Sequence, residues 1–334
     1  MGDQVTLDDV ARLSGVSRAT ASRALNGRVG VRDDVRDRIR RIADSLGFVP
    51  NRAAKHLASG RSSVIGLVIP SADLHIDPYG ASMTHAVGRA ADQRNQGLML
   101  HLASDEPGST VRHILRDGMI DGILVSSVAV GLSWIDELLA QQQLPTVLLG
   151  SHPSVHDFDA VDVENLESSA AAVEHLFAQG CSRVGTITGL LDRVDAQRRL
   201  DGYRLAHERR GVAVDEDLIV AGNFNRDAGY KGAQMLSERG VDGIFAANDE
   251  MAIGAMWALT HAGVAVPDEV ALVGFDGTSV NDFLEPTLTS VRQPFDAIAL
   301  AAVDELLRLV DGQPSSGPIV VAPELVLGGS SQRR

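Results

Sequence analysis

Residues 6 to 26 hold two short helical patterns separated by a single glycine, and that spacing constrains the chain more than any other feature. Thr6 is a good helix N-cap, and Asp9 three residues later is placed to close a capping box. Leu7, Val10 and Ala11 fall on one helical face. Gly15 is the expected turn residue, with Val16 plugging the gap beneath it. Ser17 then caps a second helix from Arg18 to Leu25, which Asn26-Gly27 would end. The outer face of this helix carries Arg18, Ala19, Ser22 and Arg23, while Ala21, Ala24 and Leu25 pack inward. Val35, Ile39, Ile42 and Leu46 recur at helical spacing, so a third helix closes a small core. Such a unit is either an ordinary helical hairpin or a helix-turn-helix whose second helix enters a DNA major groove.

The charge distribution favours the second reading. The 334-residue chain carries a formal net charge of −14, which by itself argues against nucleic acid. Residues 1–62, however, hold 12 Lys and Arg against 7 Asp and Glu, a net of +5, and the remainder holds 18 against 37, a net of −19. A basic headpiece on an acidic body concentrates attraction to phosphate in one place. Met1-Gly2-Asp3-Gln4 shows no secretory pattern and no stretch reaches 18 apolar residues, so a cytoplasmic protein with no membrane partner is expected. A single cysteine, Cys181, excludes an intrachain disulfide and suits a reducing compartment. The ten histidines form no ligand cluster, and no metal or organic cofactor is expected.

From Ser62 onward strand and helix patterns alternate. Apolar runs at 64–70, 98–103, 122–126, 146–150, 184–188, 243–247 and 271–275 read as buried parallel strands. Helical patterns at 166–179, 227–239 and 250–262 lie between them, and the length fits two doubly wound sheets. In such sheets a ligand lies beyond the carboxyl ends of the strands. Ser71 and Asp73 follow the first strand, Asn248 and Asp249 follow another, and Asp276 ends Val273-Gly274-Phe275-Asp276. Carboxylates and amides pair with vicinal hydroxyls, and an arginine supplies a rigid fork of donors. Asp249 reads equally as the N-cap of the next helix.

Several segments then resemble one family, in order and at the right spacing. They are the Thr-Leu-Asp-Asp-Val-Ala start, the Val16-Ser17-x-x-Thr20-x-Ser22-Arg23-x-Leu25-Asn26 helix and the Pro50-Asn51-x-x-Ala54-x-x-Leu57 segment. The Asn-Asp-x-x-Ala run from Asn248, the Val-Gly-Phe-Asp run ending at Asp276 and Leu288 to Pro294 extend the likeness along the chain. Together they resemble the lac repressor (LacI/GalR) family. The resemblance implies a small all-α helix-turn-helix headpiece plus an α/β two-lobed periplasmic-binding-protein-like body with two doubly wound parallel sheets. The implied divisions are a headpiece at 1–47, a hinge helix and linker at 48–61, and a ligand-binding and dimerisation body at 62–330. Within the body, one lobe takes about 62–161 and 293–320, the other about 162–292 and 321–330.

The resemblance also implies roles. Thr6, Ser17, Arg18, Ala19, Thr20, Ser22, Arg23 and Asn26 would face DNA, with Arg18 and Ala19 at the variable specificity positions. Asn51, Arg52, Ala54, Lys55 and Leu57 would form a hinge helix on DNA, with Leu57 wedged into the minor groove. Ser71, Asp73, Asp77, Tyr79, Arg199, Phe224, Asn248, Asp276 and Gln293 would contact the effector, Phe224 stacking on a sugar ring. Solvent-exposed or core placements remain the plain alternatives for Arg199, Phe224 and the loop acids. The implied partners are double-stranded operator DNA bound as a homodimer and a small-molecule effector. A sugar is favoured over a purine, and the implied role is repression of sugar uptake or catabolism genes.

Three features depart from or limit the resemblance. Arg32 replaces the common serine cap of the third helix, although Asp33 and Asp34 complement the helix dipole. The loop Asp73-Leu74-His75-Ile76-Asp77-Pro78-Tyr79 replaces the more usual Asn-Pro-Phe-Phe run, so the family does not fix the effector. Residues after Val326 lack a leucine heptad, which leads us to expect dimers instead of tetramers. A pure solute-binding protein fits the body but not the headpiece. No GxGxxG after a strand, P-loop or GxSxG elbow is present, so an enzyme is not expected.

Overall fold

The computed structural model describes residues 5–25, 29–48, 61–70, 77–103, 118–126, 144–150 and 159–333. The chain divides into two compact units, residues 1–62 and 63–334. Among the described residues no helix is long and apolar enough to cross a membrane.

The first unit holds α1 (Leu7–Leu13), α2 (Arg18–Leu25) and α3 (Asp33–Ser45). The capping box forms as the spacing requires: the Asp9 amide donates to Thr6 Oγ1 at 3.3 Å, and the Thr6 amide donates to Asp9 Oδ2 at 3.1 Å. These bonds and the neighbouring Arg12 hold the Asp9 carboxyl down at about 2. Gly15 turns the chain with φ at +64°, a conformation in which a side chain is strained. Ser17 Oγ accepts from the Thr20 amide at 3.2 Å, which starts α2. Val10, Ala24, Ile39 and Ala43 form the buried core, edged by Val16, Leu25, Val31, Val35, Leu46 and Phe48. Ile42 is only half-buried and Ala43 takes the inner position, because the helix presents its 35–39–43 ridge to α2. As the sequence suggests, Arg32 caps α3 without a side-chain bond.

The second unit contains two six-stranded sheets. Strands β1 (Val64–Pro70), β2 (Gly97–Ala103), β3 (Gly122–Ser126), β4 (Thr146–Leu149), β5 (Asp159–Val163) and β11 (Ile319–Val321) form the first, in the order β11-β5-β4-β3-β1-β2 and all parallel. The second contains β6 (Val184–Ile187), β7 (Ile219–Val220), β8 (Gly243–Ala246), β9 (Ala271–Asp276), β10 (Thr289–Arg292) and β12 (Glu324–Val326). Its order is β12-β10-β9-β8-β6-β7, with only β12 antiparallel. Helices α4 (Pro78–Gln93) and α9 (Phe295–Val310) pack together against the first sheet. Helices α5 (Asn165–Ala178) and α6 (Val194–Arg210) cover one face of the second, and α7 (Arg226–Glu238) and α8 (Asp249–His261) cover the other. Alternation along β9 accounts for the continuous apolar run: Val273 and Phe275 face α5 and α6, while Leu272 faces α7 and α8.

The seven strand patterns of the sequence all form, with boundaries shifted by at most one residue. The three expected helices each begin one residue earlier, because Glu164, Asn225 and Asn248 act as the N-caps. The chain passes between the sheets three times, at 163–165, 292–295 and 321–324. Helices α7 and α8 approach unusually closely because Gly229 and Gly254 face the partner helix's backbone. A Cβ on Gly254 would overlap the Arg226 carbonyl, and one on Gly229 the Met251 carbonyl. Overpacking of this kind costs about 1–3 kcal/mol. Gly254→Ala should therefore lower the unfolding free energy of the body by that amount, read as a lower urea midpoint, and an unchanged midpoint would show that the helices are free to separate.

Candidate functional site

The outward surface of α2 is set by its inward one. Burying Ala21 and Ala24 leaves Arg18, Ala19 and Arg23 exposed, with Thr20 and Ser22 half-buried beside them. Arg18 Nη1 rests 3.4 Å from Asp8 Oδ2, an ion pair exposed on both sides. Such a pair is worth little and exchanges readily for another anion. Arg23 folds back so that its Nε donates to the Ala19 carbonyl at 3.3 Å. Thr6 and Ser17 spend their hydroxyls on the two helix caps. Asn26, Asn51, Arg52, Ala54, Lys55 and Leu57 lie outside the described residues, as do Ser71 and Asp73.

In the second unit a cleft is lined by Tyr79, Leu149, Asp162, Arg193, Asp195, Arg199 and Gln293, among others. Arg199 projects from α6 and is buried. Its Nε donates to Asn165 Oδ1 at 2.9 Å and its Nη1 to the Ala247 carbonyl at 2.5 Å. The guanidinium lies over the Phe275 ring, 3.7 Å from the centroid. Asp276 Oδ1 lies 3.6 Å from Arg199 Nη1 and accepts from Gln293 Nε2 at 2.8 Å. Asp195, one helical turn before Arg199, receives a bidentate contact from Arg193 at 3.0 and 2.8 Å and lies 4.0 Å from Arg199 Nη2. The charges therefore alternate along the cleft, Arg193, Asp195, Arg199, Asp276, and end on the Gln293 amide.

Burial and polarity set the protonation states. Burial opposes ionisation of Asp195, but Arg193 and Arg199 outweigh it and hold the carboxyl below the ordinary range. For Asp276 burial dominates, Arg199 only partly offsets it, and nearby Asp249 adds to it, so the carboxyl sits well above the ordinary value. Asp276 also adopts φ +114°, a region that disfavours any side chain. The Gln293 amide bond to the Asp276 carbonyl, 2.9 Å, holds it there. Burial, aided by Asp276, pushes the Tyr79 phenol up. Tyr79 stands edge-on to Phe295 with centroids 5.5 Å apart.

The structure brings Tyr79, Arg199, Asp276 and Gln293 together and uses the other proposed residues differently. Asp77 caps α4, its Oδ1 accepting from the Gly80 amide at 2.6 Å. Asn248 caps α8 through the Met251 amide and donates to the Phe224 carbonyl, both at 2.9 Å. Phe224, with φ +68°, has its ring against Gly189 and under the Arg193 guanidinium, 4.9 Å from the centroid. Its face is thus covered by protein in this conformation. Asp249 neither caps nor faces the cleft: it accepts from Thr278, Asn281 and Ser290 inside the second sheet, and burial pushes it up to about 6. Arg193, Asp195, Asp162 and Asn165 were not singled out from the sequence. The i, i+4 spacing of Asp195 and Arg199 was the one signal pointing to them.

Removing Arg199 would leave Asp276 buried without its cation. A carboxyl raised in the fold makes the folded chain bind more protons than the unfolded one, so stability falls as pH rises through the carboxylate range. Arg199→Met steepens that fall. Its deficit in unfolding free energy should approach about 3–5 kcal/mol at pH 7.5 and shrink toward pH 4.5. Denaturant titrations at the two pH values check this, and a deficit independent of pH contradicts it.

Comparison with known proteins agrees with this geometry. Residues 6–51 match the bacterial regulatory proteins of the lacI family, and residues 173–331 match a periplasmic binding protein-like domain. The HTH-type transcriptional regulator CelR of Thermobifida fusca is 33% identical over 317 residues, 92% of each chain. A solved transcriptional regulator CelR–cellobiose complex is 30% identical with a TM-score of 0.76, covering 98% of this chain and 99% of that one. A lac repressor dimer bound to operator and the anti-inducer ONPF is 28% identical with a TM-score of 0.81, at the same coverage. The chain belongs to the lacI family of bacterial regulatory proteins, transcription regulators that join a helix-turn-helix headpiece to a periplasmic-binding-protein-like body.

Proposed function

We propose that this chain is an operator-binding repressor of sugar-related genes, acting as a homodimer, whose effector is a neutral polyhydroxylated molecule. One observation carries the effector class: around Arg199 the charged groups of the cleft alternate, each carboxyl facing a guanidinium. Asp195 lies between two guanidinium groups, and Asp276 lies between Arg199 and Gln293. A neutral sugar inserts hydroxyls among these donors and acceptors without stranding a charge, whereas an ionic ligand leaves one uncompensated. A purine is less well served, because the Phe224 face is under Arg193 and Tyr79 is held edge-on by Phe295. The CelR–cellobiose complex among the relatives supports the sugar reading.

On DNA, Arg18 is suited to a guanine edge and Ala19 to a thymine methyl. The effector acts by binding one arrangement of the body better than another, and only that difference shifts operator affinity.

Selection of genomic fragments on the purified full-length protein, with and without neutral sugars, tests the reading. A pseudo-palindrome near uptake or catabolic genes is expected, and only sequence-indifferent, salt-sensitive fragments would contradict it. In a thermal-shift panel, neutral sugars are expected to raise the melting temperature, by the equivalent of about 2.7 kcal/mol at a hundredfold excess over Kd. Shifts confined to sugar phosphates or purines would refute the effector class. On the recovered operator, Arg18→Ala should lose about 1–3 kcal/mol of discrimination at one symmetric pair of positions. Equal weakening on all sequences would show that Arg18 contacts only phosphate.

A further inference from the structure

The buried polar network around Arg199 extends beyond the cleft to the places where the chain changes sheets. Asn165 is the first residue of α5 and is buried at the first crossing. Its Oδ1 accepts from Arg199 Nε at 2.9 Å, and its Nδ2 donates back to the end of β5, to the Val163 carbonyl at 3.1 Å and Asp162 Oδ1 at 3.2 Å. Asp162 Oδ1 also accepts from the Val163 amide at 2.7 Å, and the Glu164 amide donates to the Val321 carbonyl at 3.1 Å, joining the first crossing to the third. Gln293, at the second crossing, bonds Asp276 through both its side chain and its amide.

We propose that Asn165 is a positioning residue that ties the Arg199 guanidinium to the first crossing, so that a change at Arg199 alters the segment about which the two sheets can reorient. This rests on the reading of the cleft as the effector site. The geometry behind it is specific. An amide is needed at position 165 because it must accept from a cation on one side and donate to a carbonyl and a carboxylate on the other. Arg199 is pinned at Nε by the crossing and at Nη1 by the Ala247 carbonyl that follows β8. A ligand drawing the guanidinium toward itself must therefore pull on Asn165, and through it on the last residues of β5. The Asp276–Gln293 bond offers the second crossing the same connection from the opposite side of the guanidinium.

Hydrogen-exchange mass spectrometry on the full chain tests the proposal without any ligand, so it can fail independently of the sugar reading. Arg199→Lys, which keeps the charge beside Asp276 but loses the Nε donor, is expected to speed exchange in peptides spanning 160–166 and 319–323 by about tenfold. Asn165→Ala should produce the same acceleration, and adding Arg199→Lys to it should produce no more at those peptides. Equal further acceleration by Arg199→Lys in the Asn165→Ala background, or none in the native background, would overturn the proposal. A merely structural role is separated by the exchange Asp162→Asn with Asn165→Asp. This pair keeps an acceptor for Arg199 Nε and restores a donor between the two side chains, although the Val163 carbonyl loses its donor, so exchange at 160–166 should be slower than in Asn165→Ala. Persistent fast exchange in that double variant would count against a role through Arg199.

Discussion

The body of this protein is organised around one buried cation. Taking a guanidinium out of water carries a penalty of several kcal/mol, which only a complete set of partners offsets. Arg199 has such a set: an amide oxygen, a backbone carbonyl, an aromatic face and two carboxylates. These five partners come from four parts of the fold: α5, the end of β8, β9, which supplies both Phe275 and Asp276, and the first turn of α6. Satisfying one side chain therefore fixes the mutual placement of elements that are far apart in sequence. It also fixes the character of the cleft, since the carboxylates beside Arg199 are largely committed to cations. Hydroxyls complement such a surface better than a further charge.

The two units divide the work electrostatically as well as structurally. The headpiece concentrates basic side chains on a small core of Val10, Ala24, Ile39 and Ala43. Arg18 on the outer face of α2 is held only by a weak, exposed ion pair with Asp8. The body carries the acidic excess and keeps its functional charges buried and paired. On the proposed reading, binding strength on DNA and selectivity for an effector are tuned by separate sets of residues.

The sequence made much of this legible where one local rule dominates. Capping residues located α1 and α2, and uniform apolar runs located the central strands, because both signals are set within a few residues. Strands β5 and β10, each one place in from a sheet edge, escaped because they do not look apolar. β5 reads Asp-Ala-Val-Asp-Val, with Asp159 buried by bonds to Ser315 and the Gly317 amide 156 and 158 residues away. β10 begins with Thr289 and Ser290, whose hydroxyls are satisfied by Gly328, Ser331 and Asp249. In the cleft, Arg199, Asp276 and Gln293 came from motif position and Tyr79 from a loop that departs from the family pattern, whereas Arg193 and Asp195 acquire meaning only once α6 faces β9. Phe224 shows the converse limit. An aromatic residue at the right position was visible, but the Gly189 backbone and the Arg193 guanidinium that cover its ring were not.

The most direct measurement follows the Arg199 side chain itself. Arginine Nε–H resonances of the labelled full-length protein, with Arg199 assigned by its loss in Arg199→Lys, report whether this guanidinium is buried and bonded as described. The account predicts one slowly exchanging Nε–H that moves when a neutral sugar saturates the protein. A rapidly exchanging Arg199 signal, or a protected one that no effector disturbs, would contradict the place given to this residue.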